Sequence, residues 1–201
     1  MAMTVRLNRS GVRSRLARRG FSSGPHSISL AGAGLALALT LSSCGSHAAL
    51  TPPELLNAGI TAFTQGNDSQ ARADYQKVIK HDPKNTYGLD KIAWYDLGVL
   101  DQKLGNTSSA RSEYQQALLI DPKYTNALYN LAVLETPTNP SNAIALYRED
   151  LAISPKDPNI RWNLGLLLYK SGNVAAGRAF LKSAIRIDPS IAVKLPKDVK
   201  L

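Results

Sequence analysis

The sequence predicts an all-α fold, a stack of about four helix–turn–helix units over residues 52–189. Three observations carry that prediction. The stretches 55–83, 94–122 and 161–189 share one frame without a gap, and 128–155 joins them with one residue missing at its centre. Each stretch closes on a proline: Pro83, Pro122, Pro155 and Pro189 lie 39, 33 and 34 residues apart. Between these marks, apolar residues recur at intervals of three and four, as in Ile92, Tyr95 and Val99, which is the period of a helix face. No stretch reads as a strand.

The units follow in order. In the first, 52–85, Gly66-Asn67 marks the central turn; glycine tolerates the left-handed conformation that ends one helix, and asparagine can cap the next. Pro83 stops the second helix, because the residue before a proline is pushed out of the helical region. The second unit, 91–124, repeats this with Gly105-Asn106 and Pro122. It is preceded by five extra residues, Thr86–Asp90, which either start its first helix early or form a separate turn broken at Gly88. In the third, 125–157, "ETPTNP" replaces the Gly-Asn turn; Pro137 must end the first helix, and Pro140 can open the second. The fourth, 158–191, returns to Gly172-Asn173 and Pro189. A short tail, 190–201, remains. Pro196 limits any helix in it to about two turns, so the tail either folds back through Ile191, Val193 and Leu195 or leaves the last unit open to another copy.

This arrangement resembles the tetratricopeptide repeat, a 34-residue helix–turn–helix unit. With Pro52, Lys91, Thr125 and Pro158 as position one, the family's small eighth residue falls on Gly59, Gly98, Ala132 and Gly165. Its small twentieth falls on Ala71, Ala110, Ala143 and Gly177, and its large twenty-fourth on Tyr75, Tyr114, Tyr147 and Leu181. The resemblance implies a right-handed α-solenoid in which the two helices of a unit cross closely at the small residues. Asp150 departs from it by standing where the family has a small alanine. Burying an unpaired carboxylate is costly, so that helix is expected to be rotated or loosely packed.

Ahead of the units lies a different kind of sequence. Residues 1–43 contain no acid and six arginines (Arg6, Arg9, Arg13, Arg15, Arg18 and Arg19), followed by an apolar run from Ile28 to Leu41. A basic front, a short apolar middle and a small-residue end are the marks of a secretory leader. The run is shorter than the roughly 20 apolar residues of a membrane span. It ends Leu41-Ser42-Ser43-Cys44, which resembles the lipobox of bacterial lipoproteins. The resemblance implies cleavage before Cys44, acylation of its sulfur, a short linker over 44–51 and a location on the extracytoplasmic side of a bacterial membrane. "ARRGFSS" resembles a twin-arginine export signal, with the general secretory route as the alternative. Cys44 is the chain's one cysteine, so no intramolecular disulfide is available to it.

The leader also explains the charge. It holds six of the 24 basic residues and none of the 15 acidic ones, which leaves 18 against 15 and lowers the net charge from +9 to +3. Nucleic-acid binding thereby loses its main support. Past Cys44 there are two histidines, His47 and His81, and no zinc-helix, calcium-loop, phosphate-loop or nucleophile-elbow motif. His81 is expected at an exposed helix C-terminus, where a cation is favoured. No enzyme, cofactor or metal is read from these residues.

The family's stacking implies that positions 2, 5, 9 and 12 of each first helix line a concave groove. Here these are Leu56, Ile60 and Phe63, then Tyr95, Val99 and Gln102, then Asn126, Tyr129 and Val133, and last Asn159, Trp162, Leu166 and Tyr169. Some members grip a peptide carboxylate with Lys, Arg and Asn at positions 5 and 9. Those positions are apolar or aromatic here, so the expected partner is a protein or peptide with an apolar or amphipathic segment. The alternative is that these rings pack against one another. Asn57, Asn130 and Asn163, at position 6, read as structural. The sequence therefore predicts a membrane-tethered, non-catalytic scaffold. The other readings are an accessory subunit of an envelope enzyme or of a cell-wall or secretion complex, and a self-assembling lipoprotein.

Overall fold

Glycines at positive φ end the first helix of three units: Gly66 at 78°, Gly105 at 80° and Gly172 at 89°. A side chain would strain that backbone, so the turn needs glycine. The computed structural model describes residues 50–201; Cys44 and the leader expected over residues 1–43 lie outside the described residues. Eight α-helices follow one another: α1 (Pro52–Thr64), α2 (Asp68–His81), α3 (Asp90–Lys103), α4 (Thr107–Ile120), α5 (Thr125–Glu135), α6 (Pro140–Ile153), α7 (Pro158–Lys170) and α8 (Val174–Ile187). A 3-10 helix, Pro189–Lys194, opens the tail. Among the described residues there is no strand.

Each helix packs on the next in chain order, and α1 also touches α3. The crossing inside a unit is set by the small residues. A Cβ added at Gly59 would stand 2.6 Å from the Tyr75 ring, and one at Gly98 would stand 2.6 Å from the Tyr114 ring. Position 24 thus fills the space that position 8 vacates. In the fourth unit the close approach is to backbone, since a Cβ at Gly177 would meet the Tyr169 amide nitrogen at 2.6 Å and the Gly165 carbonyl oxygen at 2.8 Å.

The expected departures resolve in detail. The extra residues before α3 form turns, with Gly88 at φ 65°; α3 does not start a turn early. Asp82 organises this segment by accepting from the backbone N–H groups of Thr86 and Tyr87, both at 2.7 Å. In the third unit, α5 ends before Pro137 and α6 opens on Pro140, with Asn139 accepting from the Asn142 amide at 3.2 Å. The expectation for Asp150 is corrected. Its side chain is fully buried, and α6 runs through it unbroken.

The capping asparagines behave unequally. Asn173 accepts from the Ala176 amide, whereas Asn67 and Asn106 make no side-chain cap. Asn106 instead donates to Asp101 at 2.8 Å. The tail folds back through Ile191 and Leu195 as expected, while Val199 takes the buried place expected of Val193. Ile191 and Val199 are buried and Leu195 packs beside them, in a cluster with Trp162, Leu166, Leu181 and Ala184. Val193 is 88% exposed.

Candidate functional site

The first helices α3, α5 and α7 are joined through side chains at two repeat positions. Asn130, at position 6 of α5, donates to the Tyr95 hydroxyl at position 5 of α3, at 3.1 Å, and to the Tyr114 hydroxyl at 3.4 Å. Asn163 on α7 donates to the Tyr129 hydroxyl on α5 at 2.9 Å. Tyr114 in turn donates to Gln102 at 2.7 Å. Each ring therefore buries its body between units and hands its one polar atom to the next unit, which is how a buried tyrosine avoids an unmet hydrogen bond. Burial raises the hydroxyl pKa of Tyr95 and of Tyr114 well above the ordinary phenol range. These hydroxyls stay neutral.

That ladder corrects part of the expected groove. Tyr95, Tyr129 and Trp162 are 0%, 2% and 6% exposed; Leu56, Val99, Val133 and Leu166 are buried with them. They hold units together and are not open contact surface. Area remains on Ile60, Phe63, Gln102, Asn126 and Tyr169, all half-buried, and on exposed Asn159. Phe63 has the Lys103 ammonium 5.0 Å from its ring centroid. In the fourth unit the chain's own tail covers Trp162 and Leu166. The Tyr169 hydroxyl lies 3.5 Å from the Asp198 carbonyl oxygen, to which it donates, and 3.4 Å from the Lys200 amide, from which it accepts. Asn130 and Asn163 are structural as expected, while Asn57 is exposed. His81 is exposed at the end of α2.

The first junction lacks the ladder. Position 5 of α1 is Leu56, and position 6 of α3 is Asp96 where the later units have asparagine. Asp96 is buried, its Oδ2 has no hydrogen-bond partner, and burial pushes its carboxyl up to about 7. Aligning position 6 across the units would have singled it out.

A second pair of positions, 21 and 11, carries ion pairs. The Arg72 guanidinium on α2 grips both oxygens of Asp101 on α3, at 3.0 and 2.5 Å. Arg111 on α4 pairs with buried Glu135 on α5. Arg72 holds Asp101 below its usual range. Glu113 on α4, with burial and the charge of Asp101 acting on it, is pushed up to about 8. At the third junction the same positions are Ile144 and Leu168, which belong to one apolar cluster.

Family models for the tetratricopeptide repeat match residues 55–85, 92–124 and 158–191, and a further model described as TPR repeat matches 141–172, together more than half of the chain. This is a tetratricopeptide repeat protein. The repeat chain also resembles solved structures. A tetratricopeptide repeat protein from Parabacteroides merdae is 20% identical with a TM-score of 0.63, covering 69% of this chain and 54% of its own. The chain thus spans about half of that relative. A structure of MamA is 21% identical, with a TM-score of 0.61 and 71% and 81% covered. Residues 41 to the end of MamA from Desulfovibrio magneticus RS-1 are 18% identical, with a TM-score of 0.59 and 69% and 76% covered. At these identities the likeness is one of fold. No curated protein matches the chain. Among the described residues no group of three or more potential ligands could hold a metal, and no helix is long and apolar enough to cross a membrane. The repeats and their fold support a protein–protein interaction scaffold.

Proposed function

We propose that this chain is a non-catalytic scaffold, held at the extracytoplasmic face of a bacterial membrane by lipid on Cys44. Its first-helix row would bind an apolar or amphipathic segment of an envelope protein. The observation that supports it is the hydrogen-bonded ladder Tyr95–Asn130 and Tyr129–Asn163. It fixes α3, α5 and α7 in one row, so the area on Gln102, Asn126 and Asn159 is presented on a rigid base. Binding to such a row wastes little entropy on ordering the site. Acylation would add to this by confining the repeats near membrane partners, which raises their effective concentration.

The test has two independent arms. A photo-crosslinking residue placed in cells at Asn126, and separately at Asn159, should capture the same protein, while one at exposed Leu119 on α4 should not. Equal capture from all three positions sinks the first-helix reading. Cys44→Ser should leave the protein unprocessed or release it from membranes, and unchanged membrane retention removes the anchor.

A further inference from the structure

The last unit carries a charge pattern that the first-helix row does not use. α8 has no acidic residue, whereas α2, α4 and α6 each have at least one. Arg178, Lys182 and Arg186 stand four residues apart along α8, which places them on one side of the helix, and all three are exposed. The end of the tail joins this side. Arg178 Nε donates to the Lys200 carbonyl oxygen at 2.7 Å, which fixes the tail's end beside the stripe. Ile191 and Val199 turn inward to the core, while Lys194, Lys197 and Lys200 are exposed. None of these six cations forms an ion pair with a described residue. Two acids lie nearby, Asp188 and Asp198, and Asp188 is engaged with the amide and hydroxyl of Ser190. Aliphatic side chains stand among the cations: Ile187 and Val193 are exposed, with Leu201 at the end.

We propose that this face of α8 and the tail docks on a bilayer surface bearing anionic headgroups. Cations on long flexible stems reach the headgroups, and the exposed aliphatics beside them enter the boundary between headgroup and chain. Attraction of this kind strengthens by about fivefold for each cation brought near the surface. A single-stranded nucleic acid is one competing polyanion, but it is held by aromatic platforms on which bases stack; duplex DNA, held through its phosphates, is separated by the experiment. The aromatic residues beside the tail here are Trp162, which is buried, and Tyr169, which is half-buried with its hydroxyl already bonded to the tail. The docking needs neither the first-helix row nor an acyl chain on Cys44, so failure of either leaves it standing.

The full chain carrying Cys44→Ser and Val193→Cys, labelled at 193 with an environment-sensitive fluorophore, reports on this face alone. The emission should shift to the blue with vesicles of phosphatidylcholine and phosphatidylglycerol, and not with phosphatidylcholine alone. The shift should fade as salt is raised. Arg178→Gln, Lys182→Gln and Arg186→Gln together should weaken the response about 100-fold. Lys194→Gln, Lys197→Gln and Lys200→Gln, all in the exposed tail, should weaken it comparably without touching α8. No shift on anionic vesicles, an equal shift on neutral ones, indifference to both sets of substitutions, or a response to duplex DNA in place of vesicles would each overturn the proposal.

Discussion

Between the second and third units a guanidinium meets a carboxylate, Arg111 with Glu135; between the third and fourth, the same two repeat positions are Ile144 and Leu168. The backbone arrangement is one and the same repeat, so the geometry demands a contact there without dictating its chemistry. An ion pair at such a place must recover the desolvation of two charges, while an apolar pair has no such debt. The ion pair is therefore weak evidence of added stability. Its cost shows when one partner is removed, because Glu135 is then left buried and unmatched.

The largest effect should come from that asymmetry. Arg111→Met is expected to lower unfolding stability by about 3 kcal/mol. Arg111→Ile combined with Glu135→Leu, which copies the third junction onto the second, should return stability to within about 1 kcal/mol of the parent or above it. Chemical denaturation of the two variants and the parent checks both statements. A double variant as unstable as Arg111→Met would mean that the two junctions are not interchangeable.

A middle-sized effect distinguishes the ladder's two steps. Asn130 serves two buried hydroxyls and is fully buried, whereas Asn163 serves Tyr129 and keeps slight exposure. Asn130→Ala should cost about 2–3 kcal/mol and Asn163→Ala about 1 kcal/mol, the difference reflecting the second hydrogen bond lost and the deeper burial of the site. Thermal unfolding of the pair gives the order directly, and equal losses would remove the distinction.

A pH-dependent effect belongs to the first junction. Asp96 holds its proton to about 7 when folded, while an unfolded aspartate releases it near 3.9. Folding takes up a proton between those values, so this group's contribution to stability falls as pH rises from about 4 to about 7 and is flat above. Asp96→Asn should raise stability at pH 8 and leave it unchanged at pH 4. Melting curves of both proteins across that window would show the gap opening. A gap of equal size at both ends would place the cause outside the carboxyl.

The candidate face was partly legible in the sequence. Position counting found which residues share a first-helix face, but a position number does not say how closely the next unit sits. Tyr95 and Tyr129 look like anchors for a partner until α5 and α7 close over them with Asn130 and Asn163. The asparagines were readable as structural; their acceptors were not, because the hydrogen bond spans 34 or 35 residues. The tail shows the same limit, since Val199, beyond Pro196, is buried, while Val193 faces solvent.

Local rules fixed what the chain could settle alone. Apolar spacing specified helices, glycine at positive φ and proline at the closing turns set their ends, and small residues at positions 8 and 20 marked where helices cross. All of these act within one unit of about 34 residues. Which side chains stay available to a partner was decided only when units met, because burial is a property of neighbours and not of spacing. The same holds for the raised carboxyls of Asp96 and Glu113 and for the lowered one of Asp101. Their charge is set by the water that packing removes and by charged neighbours, such as Arg72 of the preceding unit, that only the folded stack brings close.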